Sequence, residues 1–141
     1  MNENLSEKEV DLVIPMLPNI EVAATKTAVA VAEYMNFNTD QIDELQLALI
    51  EACINAFEHS KSNDSKLYIK FVMNENELTV IIKDNGKGFD MNKIDKTPDI
   101  KEKLKSDYKR GWGIMLIKNL MDKVEIKSNS EGTTLIMTKL K

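Results

Sequence analysis

The stretch Glu77–Phe89, ELTVIIKDNGKGF, decides the architecture of this chain. Its first seven residues, Glu77 to Lys83, carry the β-branched and aliphatic side chains of a strand. Asp84 follows, and then Asn85-Gly86-Lys87-Gly88, where glycine lets backbone turn sharply or approach a ligand closely. Lys66 to Met73 (KLYIKFVM) is a second β-rich run, separated from the first by Asn74-Glu75-Asn76, and the pair reads as a hairpin. An acidic acceptor at a strand end can take a hydrogen bond from an amino group, and the glycines beside it leave room for a flat ligand. An ordinary strand-ending turn has the same composition, so this motif alone does not decide a function.

Upstream, Val10 to Leu17 (VDLVIPML) reads as a short strand in which Pro15 suits a sheet edge. Ile20 to Met35 reads as a largely buried helix capped near Pro18-Asn19, and Asn36-Phe37-Asn38 as a turn. Thr39 or Asp40 is the expected cap of a second helix running to about Phe57, with Asp43 and Glu44 in its first turn. Along it Ile42, Leu45, Leu49, Cys53 and Ala56 recur at steps of three and four, a core stripe in which Cys53 is a small buried hydrophobe.

Downstream, Phe89 to Lys109 is dense in charge, lacks an apolar period and is interrupted by Pro98, which is the pattern of a lid. Gly113 to Met121 regains a helical period. Lys123 to Ser128 and Thr133 to Leu140 then form two strands about the turn Asn129 to Gly132. The expected fold class is α+β: a two-layer α/β sandwich with a mostly antiparallel sheet and three main helices on one face. One domain is expected to span residues 1–141.

Composition excludes several function classes. At 43% hydrophobic and 30% charged, the 141 residues can bury a core and stay soluble. No apolar run approaches the roughly 18 residues of a membrane span. The acidic opening Met1-Asn2-Glu3-Asn4 is unlike a secretory leader. Cys53 is the only cysteine, so no internal disulfide forms and a cytoplasmic location is expected. His59 is the only histidine, which removes a zinc site built from several His and Cys and leaves any catalytic triad one place to pass through. A net charge of −4 disfavours nucleic acid as the main ligand.

Minority residue types point to a site. All five glycines fall at Gly86/Gly88, Gly111/Gly113 and Gly132, and 18 of the 19 basic residues are lysine. The lone arginine, Arg110, directly precedes the second glycine pair, where a guanidinium fork suits phosphate or carboxylate oxygens. Lys109-Arg110-Gly111-Trp112-Gly113 is expected to open a helix whose unpaired amides bind phosphate. On the second helix Glu51 and Asn55 stand one turn apart on a face distinct from the core stripe. There the carboxylate can accept a proton and the amide oxygen can bind a hard cation. A solvated polar face explains the pair equally well when it is taken alone.

In combination, Glu51/Asn55, Asp84/Gly86/Gly88, Gly111/Gly113 and Thr133 resemble the N, first-glycine, second-glycine and threonine boxes of the GHKL ATPase superfamily. Within it, LALIEACINAFEHS, VIIKDNGKGFD and RGWGIMLIKNLMDKVEI look like the bacterial anti-sigma factor serine/threonine kinases. The resemblance implies the GHKL (Bergerat) fold, with ATP between the sheet and a lid around residues 89–110. Asp84 would accept from the adenine amine with Thr133 supporting it through water, and Asn55 would hold Mg²⁺. Glu51 would be the general base. Lys109 and Arg110, with the amides of Gly111 and Gly113, would steady the terminal phosphates.

The implied partners are a sigma factor and an anti-sigma factor antagonist, with a homodimer as a family expectation and neither nucleic acid nor membrane as a direct ligand. The alternative is an ATP-binding regulatory module that controls a partner by binding alone, without kinase activity.

Overall fold

The computed structural model describes residues 8–59, 63–86 and 107–141, with side chains described up to Glu58 in the first span and from Gly113 in the last. In chain order these form β1 (Lys8–Pro15), α1 (Glu21–Tyr34), α2 (Thr39–His59), β2 (Lys66–Met73), β3 (Glu77–Asp84), α3 (Asp107–Leu120), β4 (Lys123–Asn129) and β5 (Gly132–Leu140). Among the described residues the five strands make one sheet in the order β1-β2-β3-β5-β4, and every neighbouring pair is antiparallel. The expected α+β sandwich is the fold, and Pro15 lies on an edge strand.

The β2–β3 hairpin forms where the sequence placed it. The Asn74 side chain closes its turn, Oδ1 accepting from the N–H groups of Asn76 at 3.2 Å and Glu77 at 3.0 Å. β1 ends two residues earlier than its apolar run suggests and is already extended at Lys8. The Met16 N–H still reaches the Ser65 carbonyl, but Leu17 N–H folds back onto Pro15 and ends the extension.

The turn at 36–38 is a helix stop followed by a helix start. Asn36 takes the left-handed conformation (φ 65°), and Phe37 N–H returns to the Ala32 carbonyl, closing α1. The cap of α2 is Asn38, not Thr39 or Asp40. Asn38 Oδ1 accepts from Gln41 N–H at 2.8 Å while Gln41 Oε1 accepts from Asn38 N–H at 2.9 Å, a reciprocal capping box. Asp40 is therefore the acid of the first turn, and Asp43 and Glu44 lie beyond it.

The helix-covered face of the sheet reads as rows across the strands. Val10, Phe71, Val80, Met137 and Val124 make one row, and Leu12, Ile69, Ile82, Leu135 and Ile126 the next. Phe71, Val80 and Met137 are fully buried, as are Leu45, Leu49 and Cys53 of the α2 stripe above them. Each such large aliphatic or aromatic side chain stabilises the fold by roughly 1.5–3 kcal/mol.

The third row changes character: Ile14 and Leu67 are apolar, but Asp84, Thr133 and Ser128 are not. At the opposite end of β5, Lys139 is buried and donates to Glu44 Oε1 on α2 and to the Leu120 carbonyl at the end of α3, each at 2.6 Å. No helix among the described residues is long and apolar enough to cross a membrane.

Candidate functional site

Where the third row turns polar, a cleft opens between the sheet and helices α2 and α3. Its floor is Ile82, Leu135 and Ile126, its walls are Ala52, Ala56 and Ile114, and its polar lining is Asn55, Asp84 and Thr133. A slot with apolar floor and walls and one acid at its end suits a flat heteroaromatic ring that carries a hydrogen-bond donor.

Asp84 is only 5% exposed. Its Oδ1 accepts the Gly86 N–H at 2.9 Å and the Thr133 N–H at 3.3 Å, so one oxygen is held by backbone on two sides. Its Oδ2 takes no hydrogen bond from the described residues. The β4–β5 turn makes this possible by bringing Gly132 down onto β3. Gly132 has φ +148°, and a Cβ there would stand 2.1 Å from the Asp84 carbonyl oxygen, so glycine is required on both counts.

Asn55 lines the cleft from α2, and its Nδ2 is buried with no hydrogen-bond partner among the described residues. A buried amide donor without a protein partner costs free energy unless another group meets it, which makes Asn55 a candidate ligand contact. Gly113 of α3 lies directly against it: a Cβ at 113 would fall 2.2 Å from Nδ2.

Residues 14–139, from β1 into β5, match the histidine kinase-like ATPase domain. The chain belongs to this family. Serine-protein kinase RsbW of Bacillus thuringiensis is 32% identical over 136 residues, covering 94% of this chain and 84% of that protein. RsbW of Bacillus anthracis is similar to the same extent, 32% identical over 94% of this chain.

Solved structures share the fold at lower identity. The crystal structure of the RsbU and RsbW domains of a Mycobacterium tuberculosis protein superposes with a TM-score of 0.69 at 14% identity, over 94% of this chain. This chain spans 32% of that longer one. The histidine kinase domain of a blue-light activated kinase from Erythrobacter litoralis gives 0.52, also at 14% identity, over 89% of this chain and 61% of that one.

The cleft of this histidine kinase-like ATPase domain brings together Asn55, Asp84 and Thr133, with Gly86 and Gly113 in direct contact with Asp84 and Asn55 respectively. Glu51 stands one turn before Asn55 on α2, half-buried, and is not part of the lining. Gly88 and residues 89–106 of the expected lid lie outside the described residues. Residues 107–110, read as the end of that lid, lie within α3.

This also corrects the expected phosphate cradle. Gly111 and Gly113 are interior positions of α3, with Asp107 through Arg110 already helical before them, so their own amides are taken up within the helix. The side chains of Lys109, Arg110, Trp112 and His59 lie outside the described residues. Cys53, 0% exposed, sits in the core stripe, and burial, with a smaller push from Glu21, raises its thiol to about 12. It is no nucleophile.

Two further contacts lie next to the site, one through Ser128 and one through Asp64, neither of them part of the motif pattern. Ser128 Oγ lies 3.1 Å from Thr133 Oγ1, and Asn85 Nδ2 donates to Asp64 Oδ2 at 3.2 Å. Counting back symmetrically from the turn at 129–132 pairs 128 with 133, so the first was accessible from hairpin register alone.

Proposed function

We propose that this protein is an ATP-binding anti-sigma regulatory factor that acts as a serine/threonine protein kinase on an anti-sigma factor antagonist in a partner-switching system. The observation that carries the nucleotide reading is Asp84, which ends an apolar slot with Oδ1 locked by backbone and Oδ2 taking no hydrogen bond from the described residues. Its use in a kinase follows from the similarity to RsbW across 94% of the chain.

The residues fit the groups this reading needs. Asp84 Oδ2 would accept from the adenine amine, with Thr133 beside it and Gly86 and Gly88 leaving room for the base. Asn55, which lines the cleft, would hold Mg²⁺ by its amide oxygen, an ion that takes its remaining oxygens from water and phosphate. ATP, when bound, supplies the γ-phosphoryl group for transfer to a protein hydroxyl and leaves as ADP. Glu51 would take the proton of that hydroxyl. Lys109 and Arg110 would steady the terminal phosphates, while Gly113 leaves Asn55 its space.

The partners in this reading are a sigma factor and its antagonist, with self-association into a homodimer and neither nucleic acid nor membrane as a direct ligand. Regulation by binding alone stands as the second reading, favoured by the position of Glu51 outside the cleft lining. Incubation with γ-labelled ATP and the antagonist protein tests both. Label on the antagonist that disappears in Glu51→Gln supports the kinase with Glu51 as base, and transfer that survives removes Glu51 from that role. Tight ATP binding without any transfer supports regulation by binding alone. Asp84→Asn should abolish ATP binding, and unchanged affinity by calorimetry would remove the pocket assignment.

A further inference from the structure

We propose that Ser128 is a positioning residue for base recognition, setting the hydroxyl of Thr133 as a hydrogen-bond donor toward the purine. The inference rests on the nucleotide reading above and adds to it the direction of a hydrogen-bond chain.

Asp84, Thr133 and Ser128 are consecutive members of one cross-strand row on β3, β5 and β4. Thr133 gives its backbone N–H to Asp84, and its hydroxyl oxygen lies 3.1 Å from Ser128 Oγ. Either hydroxyl can be the donor in that contact, and the ligand decides which. The edge of adenine that presents the 6-amino group also presents N1, an acceptor without a proton. If Asp84 Oδ2 takes the amino proton, the neighbouring N1 needs a donor. Among the described residues lining the cleft, Thr133 supplies the only hydroxyl.

A bridging water leads to the same polarity. A water held between the carboxylate and N1 spends both its protons on those acceptors, so it must receive one from Thr133. In either arrangement Thr133 donates forward, and its oxygen is then free to accept from Ser128. Ser128 Oγ–H to Thr133 Oγ1, and Thr133 Oγ1–H to the base or its water, is the order that this contact and the base edge together favour. A hydroxyl at 128 therefore biases Thr133 toward donation before the nucleotide arrives.

The test compares calorimetric affinities of ATP and of purine riboside triphosphate, which keeps N1 but lacks the 6-amino group, for the native chain, Ser128→Ala, Ser128→Thr and Asp84→Asn. Ser128→Ala should weaken both nucleotides about tenfold, the size of one lost hydrogen bond in a dry site. Ser128→Thr restores the hydroxyl and should bind both within about twofold of the native chain, which a purely structural role of the serine side chain does not require. Affinities unchanged in Ser128→Ala, or as weak in Ser128→Thr as in Ser128→Ala, overturn the proposal. Asp84→Asn should penalise ATP more than the analogue. Equal penalties overturn the base-site reading itself, and the proposal with it.

Discussion

Gly113 of α3 and Asn55 of α2 are in direct contact, so closely that a Cβ at 113 would lie 2.2 Å from the Asn55 amide nitrogen. The second glycine pair of the sequence therefore acts in part by omission: it leaves the volume in which the Asn55 carboxamide sits. The partner is the far end of a side chain, so a bulkier residue at 113 moves Asn55 without distorting backbone.

Gly113→Ala separates stability from binding. Alanine in a helix interior is favoured over glycine by about 1 kcal/mol, so the variant should melt at or above the native temperature. Displacing Asn55 should nevertheless weaken ATP binding in Mg²⁺ by about tenfold or more. Thermal melts and calorimetry on one preparation check this, and native affinity in the variant would show that Asn55 has no part in the site.

Gly132→Ala has the opposite profile. Here the clash is with the Asp84 carbonyl oxygen, 2.1 Å away, and the backbone has φ +148°, where an L side chain is strained. Neither can be relieved by rotating a side chain. A loss of about 3 kcal/mol in urea denaturation is expected, together with weakened nucleotide binding as β3 shifts at Asp84. Retention of full stability would mean that the β4–β5 turn lies elsewhere.

Much of this was legible in the sequence, for physical reasons that differ between elements. The β2–β3 hairpin was readable because alternation and the Asn74 turn agree, and the Asp84 end of the cleft followed from the strand that leads into it. The start of α3 was not. Asp107 to Arg110 has no apolar period, so the glycines read as the opening of the helix, whereas it is already formed at Asp107. Asn38, Thr39 and Asp40 all cap well, and only the spacing to Gln41 distinguishes Asn38. Ser128 carries no motif, and its contact with Thr133 emerges only once strand register is fixed.

The pair Lys139–Glu44 should respond asymmetrically to truncation. The Lys139 side chain is 7% exposed and that of Glu44 is 46% exposed, so water already solvates much of the acid but little of the base. Glu44→Ala leaves a buried ammonium with the Leu120 carbonyl as its remaining partner of the two, and should cost about 1–2 kcal/mol, below the value for a fully buried pair. Lys139→Met removes the buried charge, keeps an apolar stem, and should cost about 1 kcal/mol or less. Urea denaturation of both variants decides the order, and a larger loss in Lys139→Met would contradict it.

Cys53 provides a pH signature of the core. Burial, and secondarily Glu21, raises its thiol from 9.0 to about 12, so the native state holds this proton where the unfolded chain releases it. A folded-state pKa raised above the unfolded value contributes stability in full below about pH 9, and that contribution falls as pH rises toward about 12. Across this window the loss approaches about 1.4 kcal/mol per pH unit. Cys53→Ala lacks the titration, although it starts lower because the buried sulfur leaves a small void. The stability gap between the native chain and Cys53→Ala should accordingly narrow between about pH 8 and about pH 10.5, as measured by urea denaturation. A constant gap would mean that the thiol ionises as readily in the folded core as in the unfolded chain, and that α2 does not seal its stripe against the sheet.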